Sequence, residues 1–131
     1  MEIEIFTLAD HAQDVGGKLF ISGTFDTINA PQFPLTYPAF SLAMRLRFSD
    51  KEAGTSRLLL KALDPSGKEL IKTMEGDLPV PTPQAPATYS AINFTVNLYQ
   101  IPFTVPGVYT FELYLDGEWK TGLKLNVVGR S

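Results

Sequence analysis

The chain has 131 residues, the size of one domain, and 44% of them are hydrophobic. A chain of this length buries roughly two-thirds of its unfolded surface and needs no covalent cross-links to hold a core. Lys and Arg number 11 against 14 Asp and Glu, and the net charge of −3 argues against nucleic-acid binding, which needs a concentrated basic face. The absence of cysteine excludes disulfides, thiolate metal ligands and cysteine nucleophiles.

The beginning of the chain gives an expectation about location. Residues Met1 to Phe6 lack the basic region, apolar run and small-residue cleavage site of a signal peptide. No apolar run approaches the ~20 residues that a membrane-spanning helix needs. We therefore expect a soluble, cytoplasmic protein with neither a membrane nor a nucleic acid as partner.

The first thirty residues predict two strands. Ile3 and Ile5 alternate with glutamates, and the phase then slips at Ile5-Phe6, which indicates a bulge or a strand covered on both faces. One helical turn fits residues 9–14, before the turn at Gly16-Gly17. A second strand is predicted over 18–28, where Gly23 leaves a gap that another segment or a large side chain can approach closely.

The middle of the chain contains the clearest alternation. A third strand is predicted from Phe40 to Ser49, with its odd-numbered residues facing outward. The leucine-rich run from Leu58 to Leu63 predicts a central fourth strand. Asp64-Pro65-Ser66-Gly67 matches a type I turn at each position. The more polar residues 68–76 predict a fifth strand at a sheet edge.

A proline-rich segment precedes the last three strands. Four prolines between Asp77 and Ala87 favour an extended surface segment, which we interpret as a rigid crossover from one sheet to another rather than a ligand for an aromatic groove. A long strand over 87–101 follows. Residues 107–128 alternate as a β-hairpin around Asp116-Gly117, and matching of apolar faces favours a three-residue loop, 115–117, with Leu113 opposite Trp119.

Eight short strands separated by Gly and Pro turns predict an all-β fold. We expect a single domain over residues 1–131, built as a two-sheet antiparallel β-sandwich of about eight strands with immunoglobulin-like or jelly-roll-like topology. The closing Gly-x-Tyr-x-Phe pattern places Tyr109 where the tyrosine corner of immunoglobulin-like domains lies, although the Cys…Trp…Cys core of those domains is absent.

Several short patterns together suggest a family. They are Ala9-Asp10-His11-Ala12, the run from Gly17 to Phe25 (GKLFISGTF), Phe33-Pro34, and the ending from Gly107 to Gly117. In this order they resemble a bacterial family of single-domain proteins of unknown function. The resemblance covers nearly the whole chain and implies a bacterial source, but it implies no activity.

The best candidate binding surface is the outward row of the long strand. Aromatic rings interleaved with amides suit sugar or protein recognition, since rings offer apolar faces while amides donate and accept hydrogen bonds. Tyr114 would lie nearby if the two strands pair. The plainer interpretation is that tyrosine favours strands and tolerates half-exposure. The candidate residues are Tyr89, Asn93, Thr95, Asn97, Tyr99 and Tyr114.

Catalytic and metal sites have weaker support. His11, the only histidine, lies between Asp10 and Asp14 and could act as a general base, but no nucleophile motif accompanies it. One histidine cannot anchor zinc. Calcium needs several converging oxygens, and the loop aspartates show no Asp-x-Asp pair. These aspartates are Asp10, Asp14, Asp26, Asp50, Asp64 and Asp77. We predict no cofactor and no metal.

Three hypotheses about function follow. The first is a non-enzymatic binding or assembly module that acts through a sheet face or edge, on a protein partner or by self-association. The second is a carbohydrate-binding module with Tyr89, Tyr99 and Tyr114 as its platform; a small-molecule or glycan ligand is compatible with this surface. The third and least favoured is an enzyme centred on His11.

Overall fold

The computed structural model describes residues 1–129 and shows two packed β-sheets. Their nine strands are β1 (Glu2–Val15), β2 (Lys18–Phe25), β3 (Thr27–Ala30), β4 (Leu35–Ser49), β5 (Gly54–Leu63), β6 (Met74–Val80), β7 (Tyr89–Phe103), β8 (Gly107–Leu115) and β9 (Glu118–Gly129). A short 3-10 turn, Asp50–Glu52, links β4 to β5. The predicted all-β sandwich is confirmed, with one strand more than expected.

The two sheets have four and five strands. The strand order is β2-β1-β4-β7 in the four-stranded sheet and β3-β9-β8-β5-β6 in the five-stranded sheet. Pairing is antiparallel except between β3 and β9, which run parallel. The predicted second strand over 18–28 is therefore wrong at its end. It stops at Phe25, and the chain crosses to the other sheet at Asp26, whose carbonyl oxygen accepts a hydrogen bond from the Asn126 N–H.

The core lies between the inner faces of the sheets. Alternate residues of β4 are buried, as the sequence predicts: Phe40, Leu42, Met44, Leu46 and Phe48. Phe40 is the centre of an aromatic cluster, with its ring 6.4 Å from that of Phe103 and 6.3 Å from that of Phe111 in the facing sheet. The contact between Phe40 and Phe111 is edge-to-face and joins the two sheets.

The β1 strand corrects one prediction and confirms another. Residues 9–14, where one helical turn was expected, continue β1 as a strand paired with β2. A bulge is present in β1, as predicted, but it lies between Ile3 and Ile5, where the register against β4 shifts, rather than at Ile5-Phe6. Gly23 has a φ of +73°, and a Cβ on it would lie 2.7 Å from Asp10 Oδ2. The close approach predicted at this glycine is therefore confirmed, and the approaching side chain is Asp10.

The C-terminal hairpin differs from its predicted register. Leu115 lies opposite Glu118, so the loop has two residues, and both Asp116 (φ 51°) and Gly117 (φ 81°) adopt the left-handed conformation of a type I′ turn. A bulge next to the turn then restores the match of the apolar faces. The two-residue turn places Trp119 opposite Tyr114, where the sequence predicted Leu113, and the bulge after Trp119 sets Leu113 opposite Thr121.

The connections around β5 and β6 are close to prediction. The Gly67 N–H donates to the Asp64 carbonyl oxygen at 3.0 Å, which confirms the type I turn. The edge strand predicted over 68–76 lies instead at Met74–Val80, and β5 is interior, as expected. The proline-rich segment after Val80 crosses from the five-stranded sheet to the four-stranded sheet, as predicted.

The β1–β2 hairpin covers part of the outer face of the four-stranded sheet. Ser41 and Ala43, which face outward on β4, are almost fully buried, and so is Ala12 on the hairpin. The hairpin turn reaches the far strand of the sheet, because the Asn93 side chain of β7 donates a 3.1 Å hydrogen bond to the Gly17 carbonyl oxygen. Hence the outer side of β7 is partly covered while its lateral edge stays unpaired.

Candidate binding cleft and sheet edge

The asparagines of the predicted row are held by the fold. Arg45 Nη1 donates to Asn93 Oδ1 at 2.9 Å, and the Ser41 hydroxyl donates to Asn97 Oδ1 at 2.8 Å. Both bonds run from β4 to its neighbour β7 across the sheet. Two amide oxygens that we considered as ligand contacts therefore already have partners within the sheet.

The predicted tyrosines do not form one platform. Tyr89 and Tyr99 lie ten residues apart on β7, roughly 33 Å along an extended strand. Tyr114 belongs to β8 in the other sheet, and its ring contacts the Lys61 ammonium group at 5.0 Å. The expectation that Tyr114 joins this surface was wrong because β7 and β8 do not pair. Tyr99 is still the most exposed large hydrophobic side chain within residues 1–129, at 66%.

An ion-pair network fixes Tyr89. The Arg47 guanidinium lies 4.2 Å from the centre of the Tyr89 ring, and its Nη2 contacts Glu4 Oε2 at 2.7 Å. Glu4 also accepts from Arg45 Nε at 3.0 Å through its other oxygen. Since these side chains are about one-third exposed, water screens the ion pairs and their contribution to stability is modest. The network orients the Tyr89 ring against the sheet.

The structure adds an aromatic residue that the sequence placed inside. Trp119 is 57% exposed on the outer face of the five-stranded sheet and faces Tyr114 across β8 and β9. Its indole lies over Gly122, with Nε1 and Cζ2 each 3.7 Å from the position of an added Cβ. The Asp-Gly dipeptide favours a two-residue turn. That signal could have placed Trp119 outward.

An apolar cleft opens between the edges of the two sheets. It has a volume of about 380 Å³ and lies between β6, the edge of the five-stranded sheet, and β7, the edge of the four-stranded sheet. Apolar side chains from both sheets line its floor: Leu58, Leu60, Met74, Leu78, Phe94 and Val96. The cleft was missed from sequence because it depends on which two strands end as neighbouring edges.

Gly76 keeps one wall of this cleft open. It occupies the inward position between Met74 and Leu78 on β6, where alternation would place another apolar side chain. An added Cβ would meet no atom within 4 Å, and the residue does not require the left-handed conformation that favours glycine. Neither backbone geometry nor crowding accounts for glycine here, and its absent side chain enlarges the cleft.

The four edge strands differ in how they are protected against pairing. Natural edge strands are usually short, charged or interrupted by proline. By these criteria β3 has only four residues, β6 carries Glu75, Asp77 and Pro79, and β2 begins at Lys18. In contrast, β7 has 15 residues and no charged side chain, and its one proline, Pro102, lies next to its C-terminal end. It is the least protected edge among residues 1–129.

The remaining candidate residues stay apart. His11 is exposed on β1 opposite Ser22 and does not line the cleft. Asp14 accepts a hydrogen bond from the Gly17 N–H and Asp77 pairs with Arg57, so both act locally. Within residues 1–129, no three His, Asp or Glu side chains converge as metal ligands. In the same range no helix is long and apolar enough to cross a membrane.

These features define a two-sheet β-sandwich with an apolar cleft beside an unprotected edge. The model of the family of unknown function DUF6941 matches residues 4–128, and the chain belongs to that family. The resemblance to an uncharacterised single-domain family is confirmed by this match.

Comparisons with curated proteins and with solved structures assign no function to the chain. A search of curated proteins finds no match. Among solved structures, the chain is similar to the alkylpurine DNA glycosylase AlkC of Pseudomonas fluorescens, bound to DNA containing an abasic site analog. The identity is 9% and the TM-score 0.43, over 79% of this chain and 27% of that chain. The chain thus spans about a quarter of that chain's length, and a likeness at this level carries no functional argument.

Proposed function

We propose that this protein is a non-enzymatic binding module that adds an extended polypeptide segment to the β7 edge. The observation that supports this proposal is the combination of a long uncharged edge with an apolar cleft directly beside it. Main-chain hydrogen bonds to an edge strand supply affinity, and pockets for alternate side chains supply specificity. A segment paired with β7 would direct every second side chain toward the cleft.

The chemistry of the cleft defines the segment. The inward residues in this part of β7 are the partly buried Ile92, Phe94 and Val96, and the last two line the cleft. A bound strand continues the sheet, so its inward side chains would be apolar as well. The outward row of β7 carries threonine and asparagine, which favour small polar residues at the alternate positions.

A random-peptide display library tests this function. We expect the selected peptides to alternate apolar and small polar residues and to shift the amide resonances of β6 and β7. Gly76→Leu should weaken peptide binding at least tenfold by filling the cleft, while thermal unfolding shows a retained fold. Selected peptides that shift resonances elsewhere, or bind Gly76→Leu equally well, would contradict the proposal.

A second candidate function rests on a different surface. Trp119 and Tyr114 occupy facing positions of β9 and β8 on the outer side of the five-stranded sheet, and Lys61 lies over the Tyr114 ring. Exposed rings with polar neighbours suit the apolar face of a sugar. Carbohydrate recognition at this pair would give glycan-array signals that Trp119→Ala abolishes and Tyr99→Ala leaves intact. An array without signals for the wild type would remove this candidate.

A further inference from the structure

We infer that the segment bound at the β7 edge is the β7 strand of a second copy of this chain. In this dimer the two strands pair antiparallel about a twofold axis at Thr95, so that one continuous sheet passes through both protomers. The inference rests on the proposed function, because it requires an edge that accepts a strand, and it names the occupant of that edge.

The sequence of β7 is self-complementary about Thr95. An isologous dimer requires that residues on either side of the axis suit one another. On the outward face, Asn93 would lie opposite the partner's Asn97, and the two Thr95 side chains would face each other. Threonine pairs are favourable directly across antiparallel strands, and the facing asparagines bring no charge to the axis.

The inward face is complementary in the same register. Phe94 would lie opposite the partner's Val96, and Ile92 opposite the partner's Leu98. Pairs between aromatic and β-branched residues stabilise neighbouring strands. A shift by one residue would turn inward side chains to the outer face, so the apolar row favours a single register.

Charge also favours a second copy at β7 over the other edges. With no ionised side chain from Tyr89 to Phe103, two copies approach without like-charge repulsion. Two β6 strands would instead bring Glu75 and Asp77 toward the same carboxylates of the partner, which are offset only by Arg57. Like charges facing each other across strands are destabilising. Self-pairing therefore suits β7 and disfavours β6.

The dimer would also complete the cleft. The cleft is lined by β6 on one side and by Phe94 to Asn97 of β7 on the other, and it is open laterally. A second β7 beside the first continues the inner face of the sheet across this opening, bringing the partner's Phe94 and Val96 to its mouth. Apolar surface of both protomers would leave water together, which drives association.

The oligomeric state and one pair of variants test the inference. We expect wild-type protein to sediment as a dimer at high concentration and to dissociate on dilution. Thr95→Lys places two ammonium groups opposite each other and should produce a monomer with an unchanged circular dichroism spectrum. Thr24→Lys, an exposed threonine on the other edge of the same sheet, is the matched control and should stay dimeric.

Single cysteines in this cysteine-free chain test the register. A short bis-maleimide should link Thr95→Cys to its own copy. Ala91→Cys alone should not link, because Ala91 would face Tyr99 of the other copy, and the two Ala91 positions would be eight residues, or roughly 27 Å, apart along the strands. A mixture of Ala91→Cys and Tyr99→Cys should link as heterodimers, since these positions would face each other.

The outcomes separate this inference from the proposed function. A monomer at all concentrations, equal dissociation of both lysine variants, or a dimer that Thr95→Cys does not link would each overturn the second copy as the occupant. If such a protein still binds library peptides at β7, the proposed function stands without this inference. If a monomer binds no peptide at β7, both are overturned.

Discussion

At the scale of single residues, the role of a side chain could be predicted where it depends on residues a few positions away in the sequence. Tyr109 was placed at a tyrosine corner from a short pattern, and its hydroxyl donates to the Val105 carbonyl oxygen at 2.7 Å. Burial raises the pKa of Tyr109, because the phenolate is the form that loses more hydration inside the fold. Trp119 was misplaced because its register was argued from the match of apolar faces rather than from the Asp116-Gly117 turn beside it.

Tyr109→Phe tests the corner. Removal of the hydroxyl leaves the Val105 carbonyl without this partner, and we expect the free energy of unfolding to fall by about 1–2 kcal/mol. Urea denaturation at neutral pH measures the loss. Tyr114→Phe is the control, because its ring keeps the contact with Lys61, and it should change stability by less than about 0.5 kcal/mol. Equal losses in both variants would argue against the corner.

The loop at Asp64 offers a prediction about pH. Hydrogen bonds from the Ser66 hydroxyl and the Lys68 N–H hold the pKa of Asp64 below its usual value of 3.8. A lowered pKa in the folded state stabilises the fold above the unfolded pKa and loses this effect as pH falls through the folded one. Ser66→Ala should raise the pKa of Asp64, as measured by NMR titration of its carboxyl carbon. An unchanged pKa would contradict this cause.

At the scale of elements, alternation located most strands but not their ends or partners. The period of two identified β4 and β8 because each turns one apolar face toward the core. Alternation was uninformative from Ala9 to Asp14, where β1 makes its last pair with β4 at Ala9 and continues paired only with β2. The cleft and the β7 edge could not be predicted, because they depend on strand order, and strand order is set by long-range packing rather than by local pattern.

Gly23→Ala tests how the β1–β2 pairing depends on one close approach. The new Cβ would be strained by the φ of +73° and would also meet the Asp10 carboxylate, so we expect a loss of about 2–3 kcal/mol in unfolding free energy. Gly17 has a similar φ of +80°, but an added Cβ there would meet no atom within 4 Å. We therefore expect Gly17→Ala to lower the free energy of unfolding by only about 1 kcal/mol.

A double variant separates the two causes. Combining Gly23→Ala with Asp10→Ala removes the contact but keeps the backbone strain, so its stability should approach that of Gly17→Ala. Chemical denaturation of all three proteins supplies the comparison. If the double variant is no more stable than Gly23→Ala, contact with Asp10 is not the cause.

At the scale of the whole molecule, the two sheets depend on each other through a shared core. Phe40 of the four-stranded sheet packs edge-on against Phe111 of the five-stranded sheet, and both are fully buried. The single domain predicted from chain length requires that neither sheet unfolds alone. Trp119 lies in the five-stranded sheet and is the only tryptophan, so its fluorescence reports on that sheet.

Phe40→Ala tests this dependence. Truncation of a buried phenylalanine costs about 3–5 kcal/mol, and here the cavity would open between the sheets. We expect the urea midpoints from Trp119 fluorescence and from far-UV circular dichroism to fall together and remain coincident, because loss at the shared core destabilises both sheets. Phe20→Ala, which removes an exposed ring on β2, should change stability by less than about 0.5 kcal/mol. Two separated transitions in the Phe40 variant would show that the sheets unfold independently and that the chain is not one cooperative domain.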